Sequence, residues 1–224
     1  PGSNALPTMS DTRDAPPRRP RCPDCSRPLR TCLCDLVVPT PNRVDVLVLQ
    51  HPLEVAQAKG SARLLQRSLA RCQLSTGELF PADTLHDRLA ADGRRSLLLY
   101  PDTPDIPTLS RAEAAVDNLL STGPETLRLV VLDGTWRKSL KMLHLNPPLQ
   151  ALPRLGLRDV PRRRYAGLRK SHGEAQLSTL EAVCLALGSL EAAPARYAPL
   201  LSAFEQLVNR LLAFSSGVDK ESDL

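Results

Sequence analysis

Short apolar runs alternate with longer mixed segments along this chain, and this alternation predicts its fold class. Val44–Gln50, Ser96–Tyr100 and Leu129–Leu132 are rich in Val and Leu, as buried strands are. Helical patterns lie between the runs, at 54–71, 84–92 and 110–120. Strands separated by helices in this rhythm indicate an α/β fold with a mostly parallel sheet and flanking helices.

The last third of the chain continues the pattern with fewer strands. A helix is predicted at 138–145, an extended segment at 152–157, and a final helix from Arg196 to Phe214. Between them, Ser178 and Thr179 with Glu181 are typical of a helix start, because a hydroxyl cap satisfies the exposed amides and an acid in the first turn complements the helix dipole. That helix is expected to end near Leu190.

Polar residues follow two of the predicted strands directly. Asp133, Gly134, Thr135 and the chain's one Trp, Trp136, come straight after Leu132. Parallel sheets place their chemistry at the carboxyl ends of strands, so Asp133 is a candidate functional group. The alternative is that Asp133 only caps the next helix. His51 ends the first strand, and a structural role is the simpler interpretation for it.

Composition supports one sizeable domain with a core of Leu, Val and Ala. The 224 residues are 42% hydrophobic and 3% aromatic, and the net charge is +5. Arginines cluster at 18–30 and 158–170, which suits a polyanion such as nucleic acid, although a solvated basic surface is the alternative. No run of 18 apolar residues and no signal peptide is present, so we expect a soluble, cytoplasmic protein without a membrane contact.

Four of the six cysteines lie within thirteen residues, spaced C-x2-C-x6-C-x-C: Cys22, Cys25, Cys32 and Cys34. Four thiolates complete a tetrahedral zinc shell, and a reducing compartment disfavours disulfides. We predict a structural zinc; a redox pair or an adventitious site are the alternatives. Cys72 and Cys184 lie in helix-like runs and are expected to be buried thiols.

These patterns divide the chain into four parts. We expect residues 1–20 to be a disordered lead-in whose first eight residues resemble a cloning remnant, and 21–40 to be the zinc-binding segment. A catalytic domain is expected at 41–214, and a disordered tail at 215–224.

Taken together, the motifs resemble those of the DTW-domain family, the tRNA-uridine aminocarboxypropyltransferases. The resemblance rests on the paired cysteines, His51-Pro-x-Glu54, Tyr100-Pro101, Leu-Asp-Gly-Thr-Trp at 132–136 and Leu-Ser-Thr-Leu-Glu-Ala at 177–182. It covers about Arg21 to Phe214. One departure occurs at Lys59-Gly60-Ser61-Ala62, where the family usually has Asn-Thr.

The resemblance implies a knotted, SPOUT-like domain. It also implies transfer of the 3-amino-3-carboxypropyl group of S-adenosylmethionine to N3 of a uridine in tRNA, with release of methylthioadenosine. Asp133 would remove or position the N3 proton. Trp136 would line the cofactor pocket or stack on the uracil.

Two sets of binding residues follow from the resemblance. The cofactor pocket would be built from Leu99, Tyr100, Pro101, Leu132, Asp133, Gly134, Thr135, Leu177, Ser178, Thr179 and Glu181, where Glu181 could instead cap its helix. The tRNA would be contacted by Arg21, Arg27, Arg30, His51, Arg162, Arg163, Arg164, Arg169 and Lys170.

Two other functions are compatible with the sequence. A SPOUT-type RNA methyltransferase would share the fold and attack a different carbon of the same cofactor. A non-catalytic, zinc-containing RNA-binding module would bind tRNA without cofactor affinity. We expect a monomer, with a homodimer as the alternative.

Overall fold

A computed structural model describes residues 20–57, 60–101, 121–157 and 177–218. Within these ranges five strands form one parallel sheet, in the order β2-β1-β4-β3-β5. The strands are β1 (Asp45–Gln50), β2 (Cys72–Thr76), β3 (Arg95–Leu99), β4 (Leu127–Asp133) and β5 (Arg154–Leu155). The predicted α/β class and parallel sheet are confirmed, and the knot stays a prediction.

The helices between the strands are short until the carboxyl-terminal part of the chain. In chain order they are α1 (Ser61–Ser68), α2 (Ala82–Ala90), α3 (Trp136–Leu145), α4 (Pro147–Gln150), α5 (Thr179–Leu190) and α6 (Ala198–Val218). In the described part of the chain, none of them has the length and apolar character needed to cross a membrane.

Strand β4 lies at the centre of the sheet and is buried along its whole length. Its side chains alternate between two hydrophobic clusters, because successive residues of a strand point to opposite faces. Leu129 and Val131 pack with α1, α5 and α6, and Val130 and Leu132 pack with α2, α3 and α4. Helices therefore cover both faces of the sheet at β4.

The cysteine-rich segment packs against the first of these faces. Cys22, Cys25, Leu33 and Leu36 belong to the same cluster as α1, α5 and α6. Arg67 of α1 donates to the carbonyl of Asp24 (2.9 Å) and Arg210 of α6 to the carbonyl of Cys32 (3.1 Å). The segment is thus an integral layer of the fold.

Several predicted boundaries differ from the structure. The helix expected at 54–71 is wrong in its first half: Pro52–Glu54 forms a 3-10 turn, and α1 begins only at Ser61 after Gly60. It also ends early, since Leu69 is extended and leads into β2. Cys72 consequently lies in a strand and is half-buried, whereas Cys184 is helical and buried as expected.

Other elements agree more closely. Strands β1, β3, β4 and β5 and helices α3 and α5 lie within a few residues of their predicted bounds, β2 is a strand that the pattern does not predict, and α6 continues to Val218, past the expected Phe214. The helix predicted at 110–120 lies outside the described residues.

Candidate active site at the carboxyl edge of the sheet

Asp133 is the last residue of β4 and lies at the carboxyl edge of the sheet. Its side chain is buried, and the parallel register places it opposite Gln50, the last residue of β1. Gln50 Nε2 donates a hydrogen bond of 2.8 Å to Asp133 Oδ2. The backbone N–H of His51 donates to the Asp133 carbonyl at 2.9 Å, so the two strand exits remain joined past the sheet.

A second donor reaches Asp133 from the other end of the sequence. Thr179 Oγ1, at the start of α5, donates to Asp133 Oδ1 at 2.6 Å. Helix α3, which follows Asp133, is capped at Thr135 without a side-chain hydrogen bond. The helix-cap alternative for Asp133 is therefore wrong, since both carboxylate oxygens are engaged by residues of other elements.

The position of Thr179 depends on the capping box that the sequence predicted. Ser178 Oγ accepts from the Glu181 N–H at 3.2 Å, and Glu181 Oε2 accepts from the Ser178 N–H at 2.8 Å. Of the two roles considered for Glu181, the helix cap is the one present in this structure. Ser61 adds a bond from α1, because its hydroxyl accepts from the Leu180 N–H at 3.3 Å.

Gly134 turns the chain sharply between β4 and α3. A Cβ atom at this position would lie 3.2 Å from the Lys138 Cβ and 3.7 Å from the His51 Cβ. Contacts this close leave little room for a side chain. The glycine thus lets α3 start immediately beside the carboxylate of Asp133.

Two aromatic rings form a wall at the carboxyl edge of the sheet, just after the ends of β3 and β4. Trp136, the first residue of α3, stacks on Tyr100 with ring centroids 5.2 Å apart and an interplanar angle of 20°. Tyr100 is buried, whereas Trp136 is 49% exposed. An indole that is half exposed and held by a second ring offers a flat apolar face to a ligand.

Arg154 of β5 lies on the far side of this wall from the sheet centre. It is buried, and its guanidinium carbon is 5.4 Å from the Tyr100 ring centroid. Burial raises the pKa of the Tyr100 phenol, and Ser139 and Arg154 offset this in part. The phenol therefore stays protonated at neutral pH and can act as a hydrogen-bond donor.

Ion pairs connect the strand exits to α3. His51 Nε2 bonds Glu78 Oε1 at 2.9 Å, and Lys141 Nζ lies 2.9 Å from Glu78 Oε2. Lys141 and His51 together lower the pKa of Glu78. Lys138 pairs with Glu54 at 2.7 Å, which joins α3 to the turn after β1.

His51 shapes the turn after β1. Its ring is buried, and Nδ1 accepts from the Leu53 N–H at 3.1 Å while Nε2 bonds Glu78. The structural interpretation of His51 fits this geometry, and its RNA contact stays a prediction.

The other predicted site residues divide by location. Leu99 and Leu132 are buried on opposite faces of the sheet, and Leu177 is exposed at the entry to α5. Pro101 is exposed after β3, and Arg21 and Arg30 are exposed on the cysteine-rich segment, where Arg27 is half-buried. Outside the described residues lie Arg162, Arg163, Arg164, Arg169 and Lys170.

The four cysteines converge with metal-binding geometry. Cys22 Sγ and Cys34 Sγ are 3.7 Å apart, Cys25 Sγ and Cys32 Sγ are 3.8 Å apart, and all four sulfurs lie within 4.8 Å of one another. A tetrahedron with zinc–sulfur bonds of about 2.3 Å has sulfur–sulfur edges of about 3.8 Å. The donor set and its spacing fit a tetrahedral, thiophilic metal ion.

Three thiols of this cluster have shifted pKa values. Burial and the three neighbouring thiols raise the pKa of Cys34 to about 12. Burial acts the same way on Cys25, but backbone hydrogen bonds with Leu33 and Arg27 bring its pKa down to about 7. The pKa of Cys32 is raised as well. A bound cation would favour the thiolate form of these ligands.

Gln50 and Thr179 are the two donors that the sequence did not assign to Asp133. Thr179 was expected to hold the cofactor, and Gln50 was assigned only to a strand. The signal for Gln50 was a polar residue at the carboxyl end of an otherwise apolar strand, directly before His51. Its partner could not be named, because strand order is a long-range property of the fold.

Comparison with known proteins decides the family. The DTW domain model matches residues 19–212, which include both the cysteine cluster and the site around Asp133. The chain belongs to the DTW-domain family. No solved structure matches this DTW-domain chain.

Curated relatives carry related names. The chain is 34% identical over 187 residues to tRNA-uridine aminocarboxypropyltransferase 2 of Drosophila melanogaster, which covers 81% of this chain and 70% of the relative. It is 31% identical to tRNA-uridine aminocarboxypropyltransferase A of Arabidopsis thaliana (61% and 54% covered). The Macaca fascicularis aminocarboxypropyltransferase 2 is 28% identical (78% and 57% covered). The chain thus spans little more than half the length of the latter two relatives.

Proposed function

We propose that this DTW-domain protein transfers the 3-amino-3-carboxypropyl group of S-adenosylmethionine to N3 of a uridine in tRNA. The observation that carries the proposal is the Asp-Gly-Thr-Trp turn of a family member, in which a carboxylate held by two donors and a half-exposed, stacked indole leave the same strand. The names of the curated relatives support the same reaction class.

Asp133 acts on the nucleophile. Uridine N3 carries a proton and attacks poorly until that proton leaves. The Asp133 carboxylate accepts one hydrogen bond on each oxygen and keeps further lone pairs, so it can accept the N3 proton or orient it. S-adenosylmethionine, when bound, supplies a carbon whose bond to the sulfonium sulfur breaks as the bond to N3 forms, which leaves neutral methylthioadenosine.

The aromatic wall binds flat groups at the edge of the sheet that carries Asp133. Trp136 has half of its surface free for an adenine or a uracil ring, while Tyr100 fixes the other side of the indole. We assign cofactor binding to the end of β3, to the turn after β4 and to the start of α5.

The four cysteines hold a structural zinc ion in this proposal. Their spacing fits a closed four-sulfur shell, which has no open position for a water or a substrate. The metal would therefore stabilise the segment and orient Arg21, Arg27 and Arg30 toward tRNA phosphates. Reduced thiolate ligands suit a cytoplasmic location, and a monomer remains the expected state.

The adenosine by-product tests the reaction class most simply. The protein is incubated with unmodified tRNA and S-adenosylmethionine, and the small molecules are identified by mass spectrometry. Methylthioadenosine that depends on both tRNA and protein is the expected product. S-adenosylhomocysteine would instead identify a methyltransferase. If neither by-product forms, the protein is a binding module.

A further inference from the structure

Gln50 is a buried polar residue at the end of an otherwise largely apolar strand. It closes β1, a strand that is buried at all six positions, and it is only 4% exposed. Its Nε2 lies 2.8 Å from Asp133 Oδ2. Because a carboxylate only accepts hydrogen bonds, the amide must present its NH2 group to Asp133, which fixes the orientation of the amide.

This hydrogen bond is not needed to join the two strands. β1 and β4 are already paired in parallel register over six residue positions, and the His51 N–H extends the contact to the Asp133 carbonyl. An apolar side chain at position 50 would keep all of these backbone contacts. What it would remove is the donor to one oxygen of the carboxylate.

Thr179 supplies the matching donor to the other oxygen. The two donors come from different elements, β1 and α5, and approach Oδ2 and Oδ1 respectively. Together they prevent rotation of the carboxylate group about its terminal bond, which is otherwise a soft torsion. The lone pairs that remain on the two oxygens then point in defined directions.

We propose that Gln50 is a positioning residue for the transfer reaction, which acts through Asp133 by fixing the plane of its carboxylate against uridine N3. The inference rests on the proposed function and deepens it. Gln50 does not contact the reacting atoms in this assignment, and Thr179 shares the task with it. A group misplaced by about 1 Å can lower a rate about 100-fold, so the orientation matters for turnover more than for binding.

Two substitutions separate positioning from mere packing. Gln50→Met keeps the length of the side chain and removes the donor, so we expect kcat to fall by about 100-fold while both KM values and the melting temperature stay near wild type. Gln73→Met is the matched control, because Gln73 is an exposed glutamine in the neighbouring strand β2. It should leave kcat unchanged.

Gln50→Glu adds a readout that packing would not move. Two adjacent carboxyl groups share one proton more readily as the pH falls, and the protonated group regains an O–H donor. The activity of Gln50→Glu, relative to wild type at each pH, should therefore be lowest at neutral pH and recover toward acid, whereas that of Gln50→Met should stay flat. The surrounding titratable groups are common to both variants and cancel in this comparison: His51, Glu54, Glu78, Lys138, Lys141 and Glu181.

The experiment measures the rate of tRNA modification by wild type and the three variants from neutral to acid pH. Wild-type kcat in Gln50→Met, or equal pH profiles for Gln50→Met and Gln50→Glu, would overturn the positioning role. If Gln50→Met fails to fold, the pH profile of Gln50→Glu decides alone. A wild-type protein without any transfer activity would overturn the proposed function, and the assignment of Gln50 with it.

Discussion

The indole of Trp136 stacks on the phenol of Tyr100, at 5.2 Å between ring centroids and 20° between planes. The two residues leave neighbouring parallel strands, β4 and β3, and meet at the carboxyl edge of the sheet. The stack holds a half-exposed side chain in one orientation at the edge of the sheet that carries Asp133. In the proposed function, Trp136 is therefore a binding surface for a flat group.

Trp136→Ala should weaken ligand binding and leave the fold intact. One face of the indole is free, and stacking of a base on an aromatic side chain contributes about 1–3 kcal/mol. Calorimetric titration of S-adenosylmethionine and of tRNA into the variant would show which ligand uses this face. Leu145→Ala, at the other end of α3, is the control for loss of an exposed apolar side chain. Unchanged affinity for both ligands would remove Trp136 from the site.

The cysteine cluster should bind one zinc ion per chain. Elemental analysis of the purified protein is expected to give a stoichiometry near one, because the four sulfurs already have tetrahedral spacing. Cys25→Ser should lose the metal and lower the melting temperature, since the segment packs into the main core. Cys72→Ser, a half-buried cysteine outside the cluster, should keep the metal. Metal-free wild type with the same stability would contradict the assignment.

Arginines on the cysteine-rich segment should contribute to tRNA affinity through phosphate contacts. Each phosphate contact that is removed lowers the slope of log K against log salt by about 0.7–0.9. Arg21→Gln combined with Arg30→Gln should thus weaken binding at low salt and flatten this slope. Arg95→Gln is the control, because Arg95 is exposed at the start of β3, at the end of the sheet opposite to Asp133. Equal slopes for wild type and the double variant would show that these arginines do not contact tRNA phosphates.

A buried ion pair at the amino end of the sheet should be important for stability. Arg128 in β4 is 2% exposed and donates from Nε to Asp45 Oδ1 at 2.9 Å. Asp45→Ala leaves a buried guanidinium without this partner, which costs about 3–5 kcal/mol in comparable cases. Urea unfolding measures the loss. Arg43→Gln breaks the exposed pair with Glu125 and should change stability little, so similar effects of both variants would contradict the argument.

The elements that the sequence predicted well were those with strong local signals. The apolar runs of β1, β3 and β4 and the capping box of α5 are encoded in consecutive residues. The helix expected at 54–71 was wrong because its composition favours helix while Gly60 and the Pro52 turn break it. Helix propensity is a local quantity, and it does not include the pairing of β2 with β1, which requires the chain after Ser68 to be extended.

The site was predictable in its residues and not in its contacts. Asp133 and Trp136 stand at a strand exit, which the pattern shows, and four cysteines at short spacing indicate a metal site. The partners of Asp133 come from 83 and 46 residues away in the chain. The pairing of β1 with β4 brings Gln50 to Asp133, and the packing of α5 against the sheet brings Thr179. The contacts of His51 were equally unpredictable, because only the structure shows that its Nε2 hydrogen-bonds Glu78.

The central claim is that Asp133 serves a uridine-modifying reaction. Wild type, Asp133→Ala and the exposed control Asp87→Ala are incubated with tRNA and S-adenosylmethionine, and the digested nucleosides are analysed by mass spectrometry. We expect aminocarboxypropyl-uridine from wild type and from Asp87→Ala, and about 100-fold less or none from a folded Asp133→Ala protein. Wild-type amounts of the modified nucleoside from Asp133→Ala would contradict the account.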